Sequence, residues 1–343
     1  MMIKNFTDSL GNSISLSDRT KMQEMIQGFQ VMQSIFAATK LGLADILRDG
    51  EQSYNELAAL TDTDSDALYR LLKALSGVGI FTEIQPGYFQ NTSLSTCLFN
   101  EYGSMRNYIL SQGEIGYACW GELIHSIYTG KSSSAYLYGM ERIEYFRQNE
   151  SLCKIWDGLN FDLSVPQSFA ILNAYDFSSS QTIVDIGGGL GVLLAFILHK
   201  YSTVKGVLFE QPSPIKRAQD LLTREGLLDR CELVEGDFCE SVPGEADVYL
   251  LKNVLPMFKD QIAIKILNNC YRVMTKGTKL LVIERVIGKS RWTDNFSNLN
   301  SLVLSSGKFR TEDEFRQLLE SVGFKIVNII PTESVISIIE CIP

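Results

Sequence analysis

The chain has 343 residues, of which 45% are hydrophobic and 21% are charged, and its 31 basic and 40 acidic residues give a net charge of −9. This length accommodates two domains with separate hydrophobic cores, and the composition is that of an ordinary globular protein. The negative charge argues against nucleic acid as a ligand, because phosphate binding requires clustered lysine and arginine side chains.

Hydropathy and cysteine spacing exclude further classes of protein. No apolar run reaches the roughly 18 residues that span a bilayer, and residues 1–20 lack the apolar centre of a signal peptide. We therefore expect a cytoplasmic protein without membrane association. The seven cysteines form no Cys-x-x-Cys pair and the chain has two histidines, so we expect neither a metal site nor a disulfide framework.

Residues 1–110 predict a helical domain that contains a small winged-helix-like unit. The predicted elements are a helix over 27–47 that stops at Gly50, a short helix opened by the capping box of Ser53 and Glu56, a helix from Asp64 or Ser65 to Leu75, and a hairpin over 80–90. The helix that would enter DNA carries two acidic and two basic residues, so its charges cancel. We therefore expect a dimerisation module rather than a DNA-binding one.

Residues 111–175 predict a helical connector, and residues 176–343 predict a doubly wound α/β domain. Strands and helices alternate in the second segment, which indicates a mostly parallel sheet. A final pair of strands joined through Pro331 predicts one antiparallel edge strand. The predicted strands are 182–186, 205–210, 231–235, 247–253, 279–286, 324–330 and 335–341, and the helices are 190–201, 213–225, 261–274 and 311–323.

Acidic residues follow three successive strands of this domain. Asp185 ends the first strand, Glu210 ends the second and Asp237 follows the third. Ligands of doubly wound sheets bind outside the carboxyl ends of the strands, at the topological switch point. We expect Glu210 to accept hydrogen bonds from a ribose, Asp237 to accept one from an adenine amine, and Phe238 to pack on the adenine ring.

A glycine-rich turn follows Asp185. Glycine permits positive φ and close approach of a ligand to the backbone. The spacing differs from the Gly-x-Gly-x-x-Gly pattern of dinucleotide sites, so we expect a smaller adenosyl ligand. The glycines are Gly187, Gly188, Gly189 and Gly191.

Five stretches carry a resemblance to a known family, and they are Val184–Gly191, Glu210–Pro212, Glu235–Phe238, Leu250–Leu255 and Arg310–Phe315. With them the chain resembles, over nearly its whole length, the class I S-adenosylmethionine-dependent O-methyltransferases of the caffeate, acetylserotonin and polyketide-tailoring type. The resemblance implies a homodimer, a dimerisation domain over 1–110, a connector over 111–175 that lines the substrate pocket, and a Rossmann-like domain over 176–343. It implies that S-adenosylmethionine is bound by Asp185, Gly187, Gly188, Gly189, Gly191, Glu210, Gln211, Gly236, Asp237, Phe238 and Lys252.

The chain departs from the family pattern where the resemblance implies the catalytic base. The family has a histidine after the residue that corresponds to Leu255, whereas this chain has Pro256. The glutamate that orients this histidine is replaced by Phe309, and the aspartate and methionine of a substrate-side pattern are replaced by Asn298 and Ser301. Proline cannot accept a proton, so the departures together indicate altered chemistry.

Two other residues are candidates for a catalytic role. Glu284 is the remaining acidic residue among those that support the base in the family, and it could instead be a structural acceptor. His125 lies in the connector, where a purely helical role is the alternative. The residues that we expect at the substrate are Trp156, Phe161, Met257, Asn298, Ser301, Leu302 and Phe309. Their aromatic rings favour a planar or apolar substrate, although each ring is also compatible with a place in the core.

The resemblance implies a small-molecule methyltransferase of secondary metabolism. General-base catalysis contributes about 10²- to 10⁴-fold, so without the histidine we expect a nitrogen, carbon or acidic oxygen acceptor. One alternative is a repurposed enzyme that keeps the cofactor and catalyses a pericyclic or other non-methylating step, in which the sulfonium charge stabilises developing negative charge. A second alternative is a non-catalytic partner subunit.

Overall fold

The computed structural model describes residues 16–101, 103–288 and 292–343. The chain divides into a first unit that ends at Glu114 and a second unit, Ile115–Pro343. Among the described residues, no helix has the length and hydropathy that crossing a bilayer requires. All seven cysteines fall within the described residues and none of them forms a disulfide.

The first unit is helical with one small sheet. Its elements are α1 (Leu16–Lys40), α2 (Leu43–Ile46), β1 (Gln52–Ser53), α3 (Tyr54–Thr61), α4 (Ser65–Gly77), β2 (Phe81–Gln85), β3 (Tyr88–Asn91) and α5 (Arg106–Ser111). The three strands form an antiparallel sheet in the order β1-β3-β2. The predicted capping box at the start of α3 is confirmed, because the Ser53 side chain accepts from the N–H of Glu56 and the Glu56 side chain accepts from the N–H of Ser53.

The prediction of one helix over 27–47 was wrong. Helix α1 begins earlier, at Leu16, and ends at Lys40, and the chain then passes through Gly42 in the left-handed conformation (φ 69°) before α2 begins. A residue in this conformation cannot continue a right-handed helix. The predicted stop at Gly50 is confirmed, because this glycine has φ 142° and follows a 3₁₀ turn over Leu47–Asp49.

The charges on α4 are engaged within the first unit. Arg70 pairs with Asp66 at 2.6 Å, and Lys73 pairs with Glu83 at 2.5 Å. These two basic residues were the ones that a DNA-binding interpretation would have needed. Because each of them is paired with a carboxylate, α4 presents no net positive charge, as the sequence indicated.

In the described part of the second unit, five helices precede the sheet and five belong to the α/β part. The first five are α6 (Tyr117–Gly121), α7 (Leu123–Thr129), α8 (Ser133–Tyr138), α9 (Arg142–Arg147) and α10 (Glu150–Ala174). The strands are β4 (Thr182–Ile186), β5 (Lys205–Glu210), β6 (Cys231–Glu235), β7 (Val248–Lys252), β8 (Lys279–Glu284), β9 (Lys325–Pro331) and β10 (Ser337–Ile342). The remaining helices are α11 (Val192–Lys200), α12 (Pro212–Arg224), α13 (Asp260–Val273), α14 (Trp292–Ser305) and α15 (Glu312–Val322).

The sheet of the second unit is doubly wound, which confirms the predicted fold class. Its order is β6-β5-β4-β7-β8-β10-β9. Strand β4 pairs in parallel with both β5 and β7, so the direction of winding reverses beside β4. Strand β10 runs antiparallel to both of its neighbours, β8 and β9, and therefore lies one position in from the edge.

Both faces of the sheet are covered by apolar side chains. Successive residues of a strand point to opposite faces, and Ile183 and Val184 accordingly belong to separate hydrophobic clusters. Strand β8 ends at Glu284 rather than at residue 286 as predicted. Val286 instead forms an isolated bridge to Arg310, which brings the segment before α15 beside the end of β8.

Candidate active site

The turn after β4 depends on its glycines. Gly187, Gly189 and Gly191 have φ values of 69°, 60° and 75°, a region that favours glycine. A Cβ added to Gly188 would lie 2.4 Å from Oδ2 of Asp185 and 2.6 Å from Cδ1 of Leu208. The turn therefore wraps closely around the carboxyl group of Asp185.

Asp185 carries a buried carboxyl group with unused acceptor capacity. Its side chain is 1% exposed, and burial raises its pKa to about 7, with Lys252 opposing the shift and Glu210 adding to it. Among the described residues, no hydrogen-bond partner reaches its buried Oδ1. An unsatisfied buried acceptor costs about 1–3 kcal/mol, so this oxygen is suited to a donor on a ligand.

Glu210 holds two loops together at the end of β5. Its Oε2 accepts from the N–H of Gly189 at 3.2 Å, and its Oε1 accepts from the N–H of Gln211 at 2.7 Å. Its carbonyl accepts from the N–H of Gly236 at 3.0 Å. The predicted residues on the first three strands are therefore brought together at one edge of the sheet, as the switch point requires.

Asp237 and Phe238 follow β6 and face different surroundings. Asp237 is exposed, and its Oδ1 accepts from the N–H of Cys239 at 2.8 Å. Phe238 is buried in the core and packs edge-to-face on Phe258, with 6.0 Å between the ring centroids. A Cβ on Gly187 would lie 3.2 Å from the Phe238 ring, so this ring supports the glycine turn.

Helix α10 contributes two polar residues that the sequence did not single out. Ser164 accepts a hydrogen bond of 2.9 Å from Nζ of Lys252, and Gln167 accepts one of 3.1 Å from the side chain of Asn253. Burial lowers the pKa of Lys252 to about 8, while Asp185 and Glu284 oppose this shift. The sequence gives no signal for Ser164 and Gln167, because α10 carries several other polar and charged side chains.

The loop after β7, which carries Pro256, is held by the buried side chain of Glu284. Oε1 of Glu284 accepts from the N–H groups of Val254 at 2.9 Å and Leu255 at 3.2 Å. Burial raises the pKa of Glu284 to about 8, against the effect of these two N–H groups. Its Oε2 is buried and has no partner among the described residues. Glu284 thus positions the loop, whichever further role it has.

Arg310 holds the same loop from the other side, and the sequence did not predict this role. Its guanidinium donates to the carbonyls of Leu255 and Phe258, each at 3.0 Å, and to Oδ1 of Asp260 at 2.8 Å. The side chain is fully buried. The motif that contains Arg310 was recognised, but a spacing cannot show which carbonyls a buried arginine satisfies.

The four positions that depart from the family pattern contact one another in two pairs. The Ser301 hydroxyl donates to the carbonyl of Pro256 at 2.7 Å. The N–H of Phe309 donates to Oδ1 of Asn298 at 3.0 Å. A Cβ on Gly307 would lie 2.0 Å from the Pro256 carbonyl oxygen. The loop is therefore packed tightly around its proline.

Most of the predicted substrate residues lie at a cavity beside α14, on α10 and in the Pro256 loop. Asn298 and Leu302 line an open cavity of about 640 Å³, together with Lys259, Asp260, Asn295, Leu299, Ser306, Gly307 and Lys308. Trp156 instead stacks on Phe146, with 5.2 Å between the ring centroids. Met257 and Phe161 are half-buried, in the Pro256 loop and on α10 respectively.

The two histidines lie away from the Pro256 loop in sequence and in their contacts. The His125 ring stacks on Tyr136, an exposed residue of α8, with 4.1 Å between the ring centroids. His199, at the end of α11, contacts Oε2 of Glu225 at 2.9 Å. His199 therefore contacts the carboxylate of the residue that follows α12 and not the Pro256 loop.

Comparison with known proteins identifies two conserved modules. The O-methyltransferase domain matches residues 120–325, and the O-methyltransferase dimerisation domain matches residues 23–101. The phenazine O-methyltransferase PhzM of Lysobacter antibioticus is 36% identical over 323 residues, which are 93% of this chain and 95% of the relative. The aclacinomycin 10-hydroxylase RdmB of Streptomyces purpurascens is 30% identical over 85% of this chain and 80% of its own length.

A solved structure supports the same relationship. The mitomycin 7-O-methyltransferase MmcR superposes with a TM-score of 0.92 at 31% identity, over 95% of this chain and 97% of that chain. Together with the glycine turn and the acidic strand ends, these matches show that the chain belongs to the S-adenosylmethionine-dependent O-methyltransferase family and is a methyltransferase.

Proposed function

We propose that this enzyme methylates a small planar acceptor of secondary metabolism without a histidine base on the loop after β7. The observation that carries the proposal is the pairing of Ser301 with Pro256 and of Asn298 with Phe309. A chance loss of one catalytic residue would leave its neighbours unmatched. Here the replaced side chains of Ser301 and Asn298 each bond the backbone of another replaced position, which supports a site adapted to different chemistry.

The residues at the strand ends fit the cofactor of the family. The free Oδ1 of Asp185 is suited to a ligand ammonium group, and Glu210 and Asp237 supply carboxylates for ribose hydroxyls and an adenine amine. When bound, S-adenosylmethionine supplies an electrophilic methyl group on a sulfonium. We assign Gly187, Gly189 and the other glycines of the turn to the backbone surface that contacts it, since larger side chains would fill this space.

The chain's own contribution to catalysis is then placement of the acceptor. Intramolecular alignment provides large rate effects when the reacting atoms are held close together, whereas the contribution of a general base is smaller. The rigid Pro256 loop, fixed by Glu284 and Arg310, suits this role. An acidic hydroxyl, a stabilised carbanion or an amine needs no proton removal at the moment of transfer, so we favour these acceptors over ordinary alcohols.

A non-methylating reaction is the second candidate. The observation that favours it is that RdmB, 30% identical to this chain, is named as a hydroxylase. A site without a base at the position of Pro256 could use the positive charge of the cofactor to stabilise an acceptor anion. The fate of the cofactor distinguishes the two candidates, because only methyl transfer consumes it.

The deciding experiment uses the purified protein, S-adenosylmethionine with an isotopically labelled methyl group, and a metabolite extract from the host, analysed by mass spectrometry. We expect a labelled product together with S-adenosylhomocysteine. A product that requires the cofactor but carries no label would reject methyl transfer in favour of the second candidate. The matched control is the Asp237→Ala variant, which should give less product in either case.

We also propose that the chain forms a homodimer through its first unit. Met22, Met25, Ile26 and Phe29 form an exposed apolar stripe on α1, at the i, i+3, i+4, i+7 spacing of one helix face. Met25→Asp combined with Phe29→Asp should shift the mass measured by light scattering from dimer to monomer. Gln27→Asp, which lies off the stripe, should not change it, and a monomeric wild type would reject the proposal.

A further inference from the structure

A partly buried arginine lies against two aromatic rings in the helical part of the second unit. The guanidinium carbon of Arg142, the first residue of α9, is 4.5 Å from the centroid of the Trp156 ring and 5.8 Å from that of Phe146. These two rings stack on each other. Cation–π contacts of this kind hold the guanidinium plane in a defined orientation.

Arg142 has no carboxylate partner among the described residues. Its Nε–H is buried and donates to no acceptor, while part of the side chain remains exposed. The adjacent Glu141 directs its carboxylate elsewhere, because Oε2 accepts from Ser132 at 2.9 Å and Oε1 accepts from Ser306 at 3.3 Å. Burial lowers the pKa of Arg142 to about 10, so the group remains a cation at neutral pH.

Other described arginines of the second unit have acceptors for their guanidinium groups. Arg285 pairs with Asp294 and Arg310 with Asp260, at 2.6 and 2.8 Å, while Arg230 donates to the carbonyls of Leu198, Tyr201 and Val204. A buried N–H donor without an acceptor is costly. The isolation of Arg142 therefore points to a negative group that is supplied by a ligand.

Glu141 adds a negative charge near Arg142, but its carboxylate is already engaged by Ser132 and Ser306, and the other neighbouring groups are neutral or paired. Burial raises the pKa of Cys119 to about 11 and that of Tyr138 to about 12, so both are neutral at physiological pH. Asp157 is occupied by Arg217, and Lys154 pairs with Glu150 at 2.8 Å. This cluster of Arg142, Phe146, Trp156, Cys119 and Tyr138 thus carries a single positive charge beside flat apolar surfaces.

The cluster also lies on the helix that reaches the cofactor side of the site. Trp156 and Ser164 are eight residues apart on α10, which corresponds to about 12 Å along the helix. Ser164 contacts Lys252 at the end of β7. A planar ligand of two or three fused rings could therefore touch the Trp156 ring at one end and approach the strand ends at the other.

We infer that Arg142 binds the carboxylate of an aromatic acid and thereby determines which acceptors the enzyme accepts. The guanidinium fork matches a carboxylate in a bidentate arrangement, and the stacked rings supply the surface for the aromatic part. This inference rests on the proposed function for its meaning in catalysis, but binding of the acid can be measured without methyl transfer.

The test is isothermal titration calorimetry in saturating S-adenosylhomocysteine, with phenazine-1-carboxylate against phenazine-1-carboxamide and 1-naphthoate against 1-naphthamide. In at least one pair, the wild type should bind the acid about tenfold or more tightly than the amide, since tenfold corresponds to about 1.4 kcal/mol. Arg142→Gln should bring the two affinities of that pair within about twofold, and Arg142→Lys should keep part of the preference.

The control variant is Arg48→Gln. Arg48 also lies over an aromatic ring, at 4.0 Å from the Phe99 centroid, but it pairs with Asp45 and Glu101. This variant should leave the acid preference unchanged. A wild type that prefers the acid in neither pair, or an Arg142→Gln variant that keeps the preference, overturns the inference. A wild type that prefers the acid but transfers no methyl group in the labelling experiment would reject only the proposed function.

Discussion

The hydroxyl of Ser301 donates a hydrogen bond of 2.7 Å to the carbonyl oxygen of Pro256. Both residues occupy positions where the resemblance implied a different residue type. Helix α14 is thereby tied to the loop after β7 through the Ser301 side chain and the backbone of Pro256, so restoring the family residue at position 301 would remove this bond. We therefore expect single reversions towards the family pattern to fail.

Pro256→His alone should not produce methylation of ordinary phenols. The resemblance implies that Phe309 replaces the glutamate that would orient the new imidazole, and the loop is already fixed by Ser301 and Gly307. Transfer of labelled methyl groups to a panel of phenols should stay within about threefold of the Pro256→Ala control, far below the factor that a positioned base supplies. Efficient phenol methylation by the single variant would contradict this expectation.

Gly188→Ala should damage the cofactor site by steric contact. The added Cβ would approach Oδ2 of Asp185 to 2.4 Å, and overpacking of this kind costs about 1–3 kcal/mol. We expect a lower melting temperature and at least about tenfold weaker binding of S-adenosylmethionine, a loss of about 1.4 kcal/mol. Gly244→Ala is the control, since its Cβ would meet no atom within 4 Å. If Gly188→Ala and Gly244→Ala had the same melting temperature and the same affinity for S-adenosylmethionine, the steric explanation would be wrong.

Glu210→Ala and Asp237→Ala should each weaken binding of S-adenosylmethionine in calorimetric titrations. Hydrogen bonds to charged groups contribute about 1.5–3 kcal/mol, so we expect a loss of about tenfold or more for each. Glu232→Ala, an exposed position on β6, should bind normally. If both site variants kept the wild-type affinity, the assignment of these carboxylates to the adenosyl group would fall.

Glu284→Gln should gain stability relative to the wild type as the pH rises. Burial raises the pKa of Glu284 from 4.5 to about 8 in the folded protein. Above pH 4.5 the unfolded wild type releases a proton that the folded wild type keeps. The free energy of unfolding of the wild type therefore falls as the pH rises, until Glu284 also ionises in the folded protein near pH 8. Glutamine keeps the acceptor for Val254 and Leu255 but does not titrate.

The measurement for Glu284→Gln is thermal unfolding at pH 5, 6.5 and 8. The melting temperature of the variant, relative to that of the wild type, should increase across this series. The same substitution at exposed Glu232 provides the comparison for a solvent-accessible carboxylate. A difference between Glu284→Gln and the wild type that does not change with pH would mean that Glu284 is ionised throughout.

The sequence predicted the elements of the α/β part well, because the pattern that indicates each strand or helix lies within the element itself. The helix predicted over 311–323 and the strand predicted over 182–186 were found, the first as Glu312–Val322 and the second with the predicted bounds. The break at Gly42 was missed, since one glycine within an apolar helical pattern does not reveal its φ. Arg142 was missed for another reason: its significance is the lack of a nearby carboxylate, and only the three-dimensional arrangement reveals that.

The position of β10 has a consequence for how the chain folds during synthesis. Strand β10 follows β9 in sequence, yet it lies between β9 and β8. Domains generally begin to fold from the N-terminal side as the ribosome extends the chain. Strands β4 to β8 can assemble early, but β9 has no ladder partner until β10 has emerged and inserted. Until then the open side of β8 exposes unpaired backbone groups, which makes this stage of synthesis the one most vulnerable to aggregation.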